Sequence, residues 1–148
     1  MTIRINDAGM AILKKHEKCS LVSYWDIDGW SIGWGCHNHP LVDALTRWSQ
    51  EQCDQQLIED IEAVESELDH LLTIIVTSNE WSALVDVLYN EGYSHLSGST
   101  LLKLVNAGDF KGAADEFPKW RVAGGKPNAD LEARRADERA LFLTPDQA

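Results

Sequence analysis

One short segment of this chain has the alternation of a β-strand, and most of the sequence after it has helical spacing. In that segment Trp30, Ile32 and Trp34 alternate with serine and glycine, which is the period of two that a half-buried strand shows. The preceding Asp28-Gly29 is a strong hairpin signal, so the pattern predicts a hairpin over residues 22–35 with Asp28-Gly29 as its two-residue loop. A chain with one hairpin among helices is expected to fold as a mainly helical α+β protein.

Helices are predicted on both sides of the hairpin. Asn6 or Asp7 is a suitable N-cap for a first helix that runs to about Lys18. Later in the chain, Ser49 with Gln52 and Thr77 with Glu80 match the capping-box pattern that begins a helix. The later helices are predicted over 49–72, from 77 to 89, and over 100–106, 110–117 and 131–142, with a loop over 121–130. The apolar stripe of the long helix is formed by Cys53, Leu57, Ile61, Val64 and Leu68.

This order of elements predicts a single domain with two lobes. Residues 1–48 are expected to form a small lobe around the hairpin, and residues 73–148 a larger helical lobe. The helix over 49–72 would connect the two. A cleft between such lobes is the usual place for a ligand site.

The charge of the chain limits its partners. The 148 residues carry a net charge of −11, and binding to nucleic acid or to an anionic membrane needs clustered Lys and Arg. Residues 41–70 hold nine acidic side chains and one basic one, whereas residues 118–148 hold six basic and five acidic ones. Arg134, Arg135 and Arg139 form the basic cluster, which either pairs with acids at helical spacing or forms an electropositive surface.

No targeting or metal-binding pattern is apparent. The N-terminus lacks the apolar core of a signal peptide, and no apolar run is long enough to span a membrane. We therefore expect a protein made in the cytoplasm, with no stable membrane association. His16-Glu17 does not begin a zinc-protease motif, because Ser20 stands where the second histidine would be. Cys36, His37 and His39 could bind a metal, but no second cluster of ligands completes a tetrahedral site. The three cysteines, Cys19, Cys36 and Cys53, cannot all pair, and buried reduced thiols are expected.

Two carboxylic acids flank the start of the hairpin. Glu17 ends the first helix and Asp26 lies in the first strand. Carboxyl groups in different environments can serve as general acid and general base, which cleavage of a glycosidic bond requires. In the predicted hairpin Asp26 lies directly opposite Ser31, so both side chains would reach one water molecule. The alternative is a solvated polar pair.

The pattern Glu17-x8-Asp26, followed by Ser31-Ile32-Gly33-Trp34-Gly35 and His37, resembles the active-site segment of phage-type lysozymes, the muramidases of the endolysin class. Two departures from the family pattern are present. Lys18 stands where a glycine commonly follows the glutamate, and a serine one residue closer to the aspartate replaces a threonine. Further segments are similar to the family in the same order along nearly the whole chain, namely 81–85, 89–92, 99–102, 106–109, Trp120, 124–125 and 134–138.

The resemblance implies a lysozyme-like fold, with a small β-hairpin lobe and a larger helical lobe joined by a long helix. It implies hydrolysis of the β-1,4 bonds between N-acetylmuramic acid and N-acetylglucosamine in bacterial peptidoglycan, with inversion and without a cofactor. By this likeness Glu17 would donate the proton, Asp26 would act as the base, and Ser31 would help to hold the water. Substrate-binding positions would be Tyr89, Thr100, Asn128 and His37, and His37 is also expected to pair with a carboxylate of the neighbouring helix.

The implied protein is an endolysin that lyses its host as a monomer. It would act on peptidoglycan glycan strands in the periplasm after a holin has permeabilised the membrane, and it would bind no nucleic acid. Two alternatives stay open. One is a lysozyme-like wall-binding protein with weak or lost catalysis, and the other is a lytic transglycosylase, which needs the acid but not the base.

Overall fold

The structure is a computed structural model that describes residues 3–146. The fold is mainly helical α+β, with a small antiparallel sheet near the N-terminus. The helices are α1 Asp7–Glu17, α2 Gln50–Leu71, α3 Ser78–Glu91, α4 Tyr93–Ser97, α5 Thr100–Asn106, α6 Phe110–Ala114 and α7 Ala129–Leu143, with a 3₁₀ turn over Phe117–Lys119. The strands are β1 Ser20–Asp26, β2 Gly29–Gly33 and β3 Cys36–His37 in one sheet, and β4 Val122–Ala123 and β5 Lys126–Pro127 in a short ribbon.

The predicted helix starts are confirmed where a local cap defines them. Asn6 caps α1 by accepting a hydrogen bond from the backbone N–H of Gly9. Both capping boxes are present, at the start of α2 with Ser49 and at the start of α3 with Thr77. A cap is a contact within four residues, so the sequence alone specifies it.

The hairpin is confirmed, but its predicted register is wrong. Asp26 pairs with Gly29, and Ser31 pairs with Tyr24 on one side and with His37 of β3 on the other. Asp26 and Ser31 are therefore not opposite each other. They lie diagonally on the same face of the sheet, because side chains alternate along each strand.

The turn is formed by Ile27 and Asp28 rather than by Asp28-Gly29. The N–H of Asp28 donates to the carbonyl of Asp26 at 2.7 Å, and Ile27 takes a left-handed φ of 56°. Gly29 is needed within the strand, because a Cβ there would lie 1.6 Å from Oδ1 of Asn38. This glycine therefore makes room for a side chain that follows β3 instead of forming the turn.

Four other elements differ from the predictions. The helix predicted over 110–117 ends at Ala114, and Phe117 begins the 3₁₀ turn that follows. The predicted loop over 121–130 contains the β4–β5 ribbon, in which Gly124 and Gly125 both have positive φ. Helix α7 begins earlier than predicted, because Asn128 is its N-cap and accepts a hydrogen bond from the N–H of Leu131. The short helix α4 was not predicted, and it begins directly after Gly92 ends α3.

The core lies among α1, α2, α3, α5 and α7. Helix α3 is at its centre, with a run of buried residues from Trp81 to Leu88, and α7 and α1 pack against it. Helix α2 packs against both α3 and the small sheet, so it connects the sheet to the helical core. No helix within residues 3–146 has both the length and the apolar character required to cross a membrane. The lobe boundaries at residues 48 and 72 stay predictions.

Candidate active site

Glu17 is the last residue of α1, and the backbone around it leaves room for its carboxyl group. The chain leaves the helix at Lys18 with φ 58° and ψ 151°, a conformation that favours glycine. On the other side, the turn between β2 and β3 approaches closely at Gly35, which has φ 86°. A Cβ on Gly35 would lie 2.4 Å from Oε1 of Glu17. A glycine at position 35 is therefore required for the observed position of the acid.

The Glu17 carboxyl is largely buried, with 17% of its side chain exposed. Oε2 accepts a hydrogen bond of 2.8 Å from Nη1 of Arg134. Burial raises the pKa of Glu17 above its ordinary value, Arg134 opposes this rise, and Asp86 adds to it. Since Arg134 occupies Oε2, the remaining oxygen Oε1 is the one able to carry a proton.

Asp26 lies at the end of β1 and is exposed to solvent. It lines two adjoining cavities of about 410 and 370 Å³, and Glu17 and Asn90 line both of them as well. We call these two cavities together the cleft. The cleft therefore brings together a buried carboxyl with a raised pKa and an exposed carboxylate.

Three of the predicted substrate-binding residues line the cleft. Asn128 lies in the larger cavity, and Tyr89 and His37 lie in the smaller one. The Tyr89 hydroxyl donates to the backbone carbonyl of Trp34 at 2.6 Å, and burial raises the pKa of Tyr89. Thr100 lines neither cavity and is exposed at the start of α5, so its predicted contact with sugar stays a prediction.

Ser31 lies behind the cleft and not in its wall. Only 1% of the residue is exposed, and its Oγ is 2.8 Å from Nδ1 of His37. The other ring nitrogen, Nε2, is 2.8 Å from Oδ1 of Asp28 in the hairpin turn. The observed carboxylate partner of His37 thus comes from the hairpin and not, as expected, from the neighbouring helix. This chain of contacts fixes the ring of His37 at the edge of the smaller cavity.

The sequence matches known proteins over most of its length. A protein-family model described as "Phage lysozyme" matches residues 14–138. The chain belongs to the phage lysozyme family. The endolysin of Acyrthosiphon pisum secondary endosymbiont phage 1 is 36% identical, and the match covers 95% of this chain and 98% of that protein.

Other relatives of this phage lysozyme homologue differ in length. The endolysin of Bacillus phage B103 is 37% identical over 96% of this chain, which spans 55% of that protein's length. Among solved structures, the muramidase domain of SpmX from Asticaccaulis excentricus is similar with a TM-score of 0.88 and 30% identity, and the match covers 97% of this chain and 100% of that one. The lysozyme fold expected from the sequence is therefore confirmed.

The site of this phage lysozyme homologue contains residues that the sequence did not assign to it. Arg134 and Arg135 are buried, so of the two alternatives for the basic cluster the electropositive surface does not hold for either residue. Arg134 contacts Glu17, and Arg135 donates to Asn90 at 2.8 Å and to Glu138 one turn further along α7. The pairing of Arg135 with Glu138 follows helical spacing and could be predicted. The contact between Arg134 and Glu17 joins residues 117 positions apart, and no local pattern indicates it.

The cysteines lie in or next to the sheet and do not line the cleft. Cys36 and Cys53 are buried free thiols, and Cys19 is a partly exposed free thiol. Burial raises the pKa of Cys36 to about 12 and that of Cys53 to about 11. Among residues 3–146, no group of three or more His, Cys, Asp or Glu side chains is arranged to hold a metal ion.

Proposed function

We propose that this phage lysozyme homologue is an endolysin that hydrolyses the β-1,4 bonds between N-acetylmuramic acid and N-acetylglucosamine in bacterial peptidoglycan. The observation that carries the proposal is the pair of carboxyl groups in the cleft. Glu17 is buried with a raised pKa, and Asp26 is exposed beside it. Two carboxyls in such different environments divide naturally into a general acid and a general base.

In the proposed reaction, Glu17 donates the proton on Oε1 to the glycosidic oxygen as the bond to the anomeric carbon breaks. The hydrogen bond from Arg134 holds the other carboxyl oxygen and stabilises the carboxylate that remains. Asp26 removes a proton from the attacking water on the opposite face of the sugar, and inversion follows. Since Ser31 is buried, we propose that it assists indirectly by orienting His37 at the edge of the cleft.

The proposed binding site is the cleft between a small lobe of residues 1–48 and a helical lobe of residues 73–148, connected by the long helix. Asn128, Tyr89 and His37 line the cleft and are proposed to contact the glycan strand. Thr100 lies outside the cleft, and we propose that it contacts a part of the glycan strand that extends past the cleft. No cofactor is required, because proton transfer and water attack use side chains alone.

The site assignment is tested with Glu17→Gln and Asp26→Asn, assayed by release of reducing ends from purified peptidoglycan. Each variant is expected to lose at least about 100-fold in rate, because general acid or base catalysis contributes roughly 10²–10⁴-fold. Asp28→Asn is the matched comparison, since Asp28 lies in the turn directly after Asp26 and also lines the cleft. Full activity of Asp26→Asn with loss in Asp28→Asn would reassign the base to Asp28.

The same assay separates the alternatives. If the wild-type protein sediments with peptidoglycan but releases no reducing ends, it is a wall-binding protein without catalysis. If the products carry 1,6-anhydro ends and Asp26→Asn is fully active, the reaction is that of a lytic transglycosylase. We favour hydrolysis because both carboxyl groups are retained and face the same cleft.

We propose that the protein reaches the wall from the host cytoplasm through a membrane lesion such as a holin makes, and that it then acts in the periplasm as a monomer. We also propose that it binds neither nucleic acid nor the membrane stably, in line with its net charge of −11. Addition of the protein to intact and to permeabilised Gram-negative cells tests this route. Clearing is expected only after permeabilisation, and equal clearing of intact cells would contradict the requirement for a lesion.

A further inference from the structure

A buried ion pair lies directly behind the proposed general acid. Asp86 of α3 and Arg134 of α7 are almost completely inaccessible, with 0% and 5% of their side chains exposed. Nε of Arg134 donates to Oδ2 of Asp86 and Nη2 donates to Oδ1, both at 2.9 Å. This two-point contact fixes the plane of the guanidinium group, because both bonds must be kept together.

The third donor direction of the same guanidinium group points at Glu17. With Nε and Nη2 engaged by Asp86, Nη1 donates to Oε2 of Glu17 at 2.8 Å. The position of this hydrogen bond therefore depends on a residue that itself has no access to the cleft. Helices α1, α3 and α7 meet at this one guanidinium group.

A single arginine beside a general acid creates a conflict. A positive charge within hydrogen-bonding distance favours the carboxylate, whereas a general acid must hold its proton before the reaction. The carboxylate of Asp86 balances that charge from the other side. Glu17 therefore faces a neutral ion pair that still offers a hydrogen bond.

We propose that Asp86 is a positioning residue for the general acid, which aims Arg134 at Glu17 and neutralises its charge so that Glu17 stays protonated until the glycosidic oxygen accepts the proton. This inference rests on the proposed function of Glu17. Asp86 lines neither cavity of the cleft, and it acts on Glu17 through its hydrogen bonds to Arg134 and through its own negative charge.

The ionisation of Asp86 agrees with this role. Burial opposes ionisation, but hydrogen bonds and the charge of Arg134 hold the pKa of Asp86 below its ordinary value. Asp86 is thus the carboxylate of the pair, and Glu17 is the carboxyl group whose pKa is raised.

Other charged groups also lie near Glu17, and no variant used in the test alters any of them. On α1 itself, His16 lies next to it and pairs with Asp137 of α7 at 2.7 Å. Behind Asp86, Glu138 is held by Arg135, and burial raises its pKa well above the ordinary value. Further titratable groups around Glu17 are Tyr24 and Asp26 of β1, Asp28 of the hairpin turn, His37 of β3, Tyr89 of α3 and Asp130 of α7.

The test measures how kcat/KM for soluble peptidoglycan fragments depends on pH. Activity should fall on the alkaline side as Glu17 loses its proton. In Asp86→Asn the positive charge of Arg134 is unbalanced, so this fall is expected at a lower pH, by about one pH unit. In Arg134→Gln the alkaline fall should move to higher pH. In the double variant Asp86→Asn/Arg134→Gln the fall should return toward its wild-type position.

Asp115→Asn is the matched control, because Asp115 forms an exposed ion pair with Arg139 at 2.9 Å and does not line the cleft. Its pH profile should coincide with that of the wild type. If Asp86→Asn does not fold, the comparison is made between Arg134→Gln and the double variant, which differ only at position 86. The alkaline fall in activity should then lie at lower pH in the double variant than in Arg134→Gln.

A purely structural role of Asp86 would give a different result. In that case activity would fall by the same factor at every pH, and the alkaline fall would not move. A ¹³C NMR titration of labelled glutamate, assigned with Glu17→Gln, measures the pKa of Glu17 without any turnover. If the wild-type protein cleaves no peptidoglycan, the proposed function fails, and this titration still decides whether Asp86 controls Glu17. An unchanged Glu17 titration in Asp86→Asn would overturn the proposal.

Discussion

At the scale of single residues, the position of Glu17 depends most directly on Gly35. A methyl group on Gly35 would lie 2.4 Å from Oε1 of Glu17, so Gly35→Ala must displace the acid. Displacement of a catalytic group by about 1 Å can lower a rate by roughly 100-fold. We expect a loss of this order in the release of reducing ends from peptidoglycan.

Gly108→Ala is the control for this substitution. Gly108 has a similar positive φ of 77°, but a Cβ there would meet no atom within 4 Å. Both variants should lose similar stability through backbone strain, about 1 kcal/mol, and only Gly35→Ala should lose activity. Equal activity of the two variants would show that Gly35 does not hold the acid in place.

Lys18 carries backbone strain at the end of α1. Its φ of 58° with ψ of 151° belongs to a region that glycine occupies without a steric penalty. We expect Lys18→Gly to raise the free energy of unfolding by about 1 kcal/mol relative to Lys18→Ala, which keeps the Cβ. Urea unfolding curves measure this difference, and equal stability of the two variants would contradict the strain.

The places of Glu17 at a helix end and Asp26 in a following strand were predictable, because both are local structures. Their roles as acid and base came from the resemblance to phage-type lysozymes and stay predictions. The surroundings of Glu17 were not predictable in the same way. Asp86 and Arg134 lie far from it in the sequence, and their burial results from the packing of three helices. The sequence showed Lys18 only as a departure from the glycine that commonly follows the glutamate, and the φ of 58° that Lys18 adopts was not predicted.

At the scale of elements, the hairpin differs from its prediction in register. The pair Asp28-Gly29 favours a turn, yet Gly29 lies in β2, where the side chain of Asn38 occupies the space that a Cβ would need. Capping boxes were predicted correctly since all their contacts are local. The contact between Gly29 and Asn38 joins residues nine positions apart, and no turn signal indicates it.

The hairpin account predicts a compensating pair of substitutions. Gly29→Ala should lower the free energy of unfolding by about 1–3 kcal/mol, the usual cost of overpacking. Asn38→Gly removes the conflicting side chain and suits the left-handed φ of 56° at that position. The double variant should therefore recover most of the lost stability in thermal or urea unfolding. If the two effects are simply additive, the space at Gly29 is not limited by Asn38.

At the scale of the whole molecule, the uneven charge predicts the response to salt. Residues 41–70 are strongly acidic, and the two arginines that would make the C-terminal part basic are buried in ion pairs. Approach to an anionic cell wall is therefore repulsive, and salt screens this repulsion over about 8 Å at physiological ionic strength.

We expect the initial rate of wall clearing to hold or rise as ionic strength increases from about 0.01 to 0.15 M, the range over which the Debye length falls from about 30 to 8 Å. The rate on an uncharged soluble oligosaccharide with the same linkage should change little with salt. This comparison separates the effect of salt on association with the wall from its effect on bond cleavage. A steep, continuous loss of clearing from the lowest salt upward would show that basic groups attract the wall instead.

The central claim is that Glu17 and Asp26 together add water across the glycosidic bond. Digestion of purified peptidoglycan in H₂¹⁸O, followed by mass spectrometry of the fragments, tests it directly. The account predicts ¹⁸O at the reducing end of N-acetylmuramic acid in the products of the wild-type protein, and neither Glu17→Gln nor Asp26→Asn should form these products at a comparable rate. Fragments that end in 1,6-anhydro-N-acetylmuramic acid without ¹⁸O would contradict it.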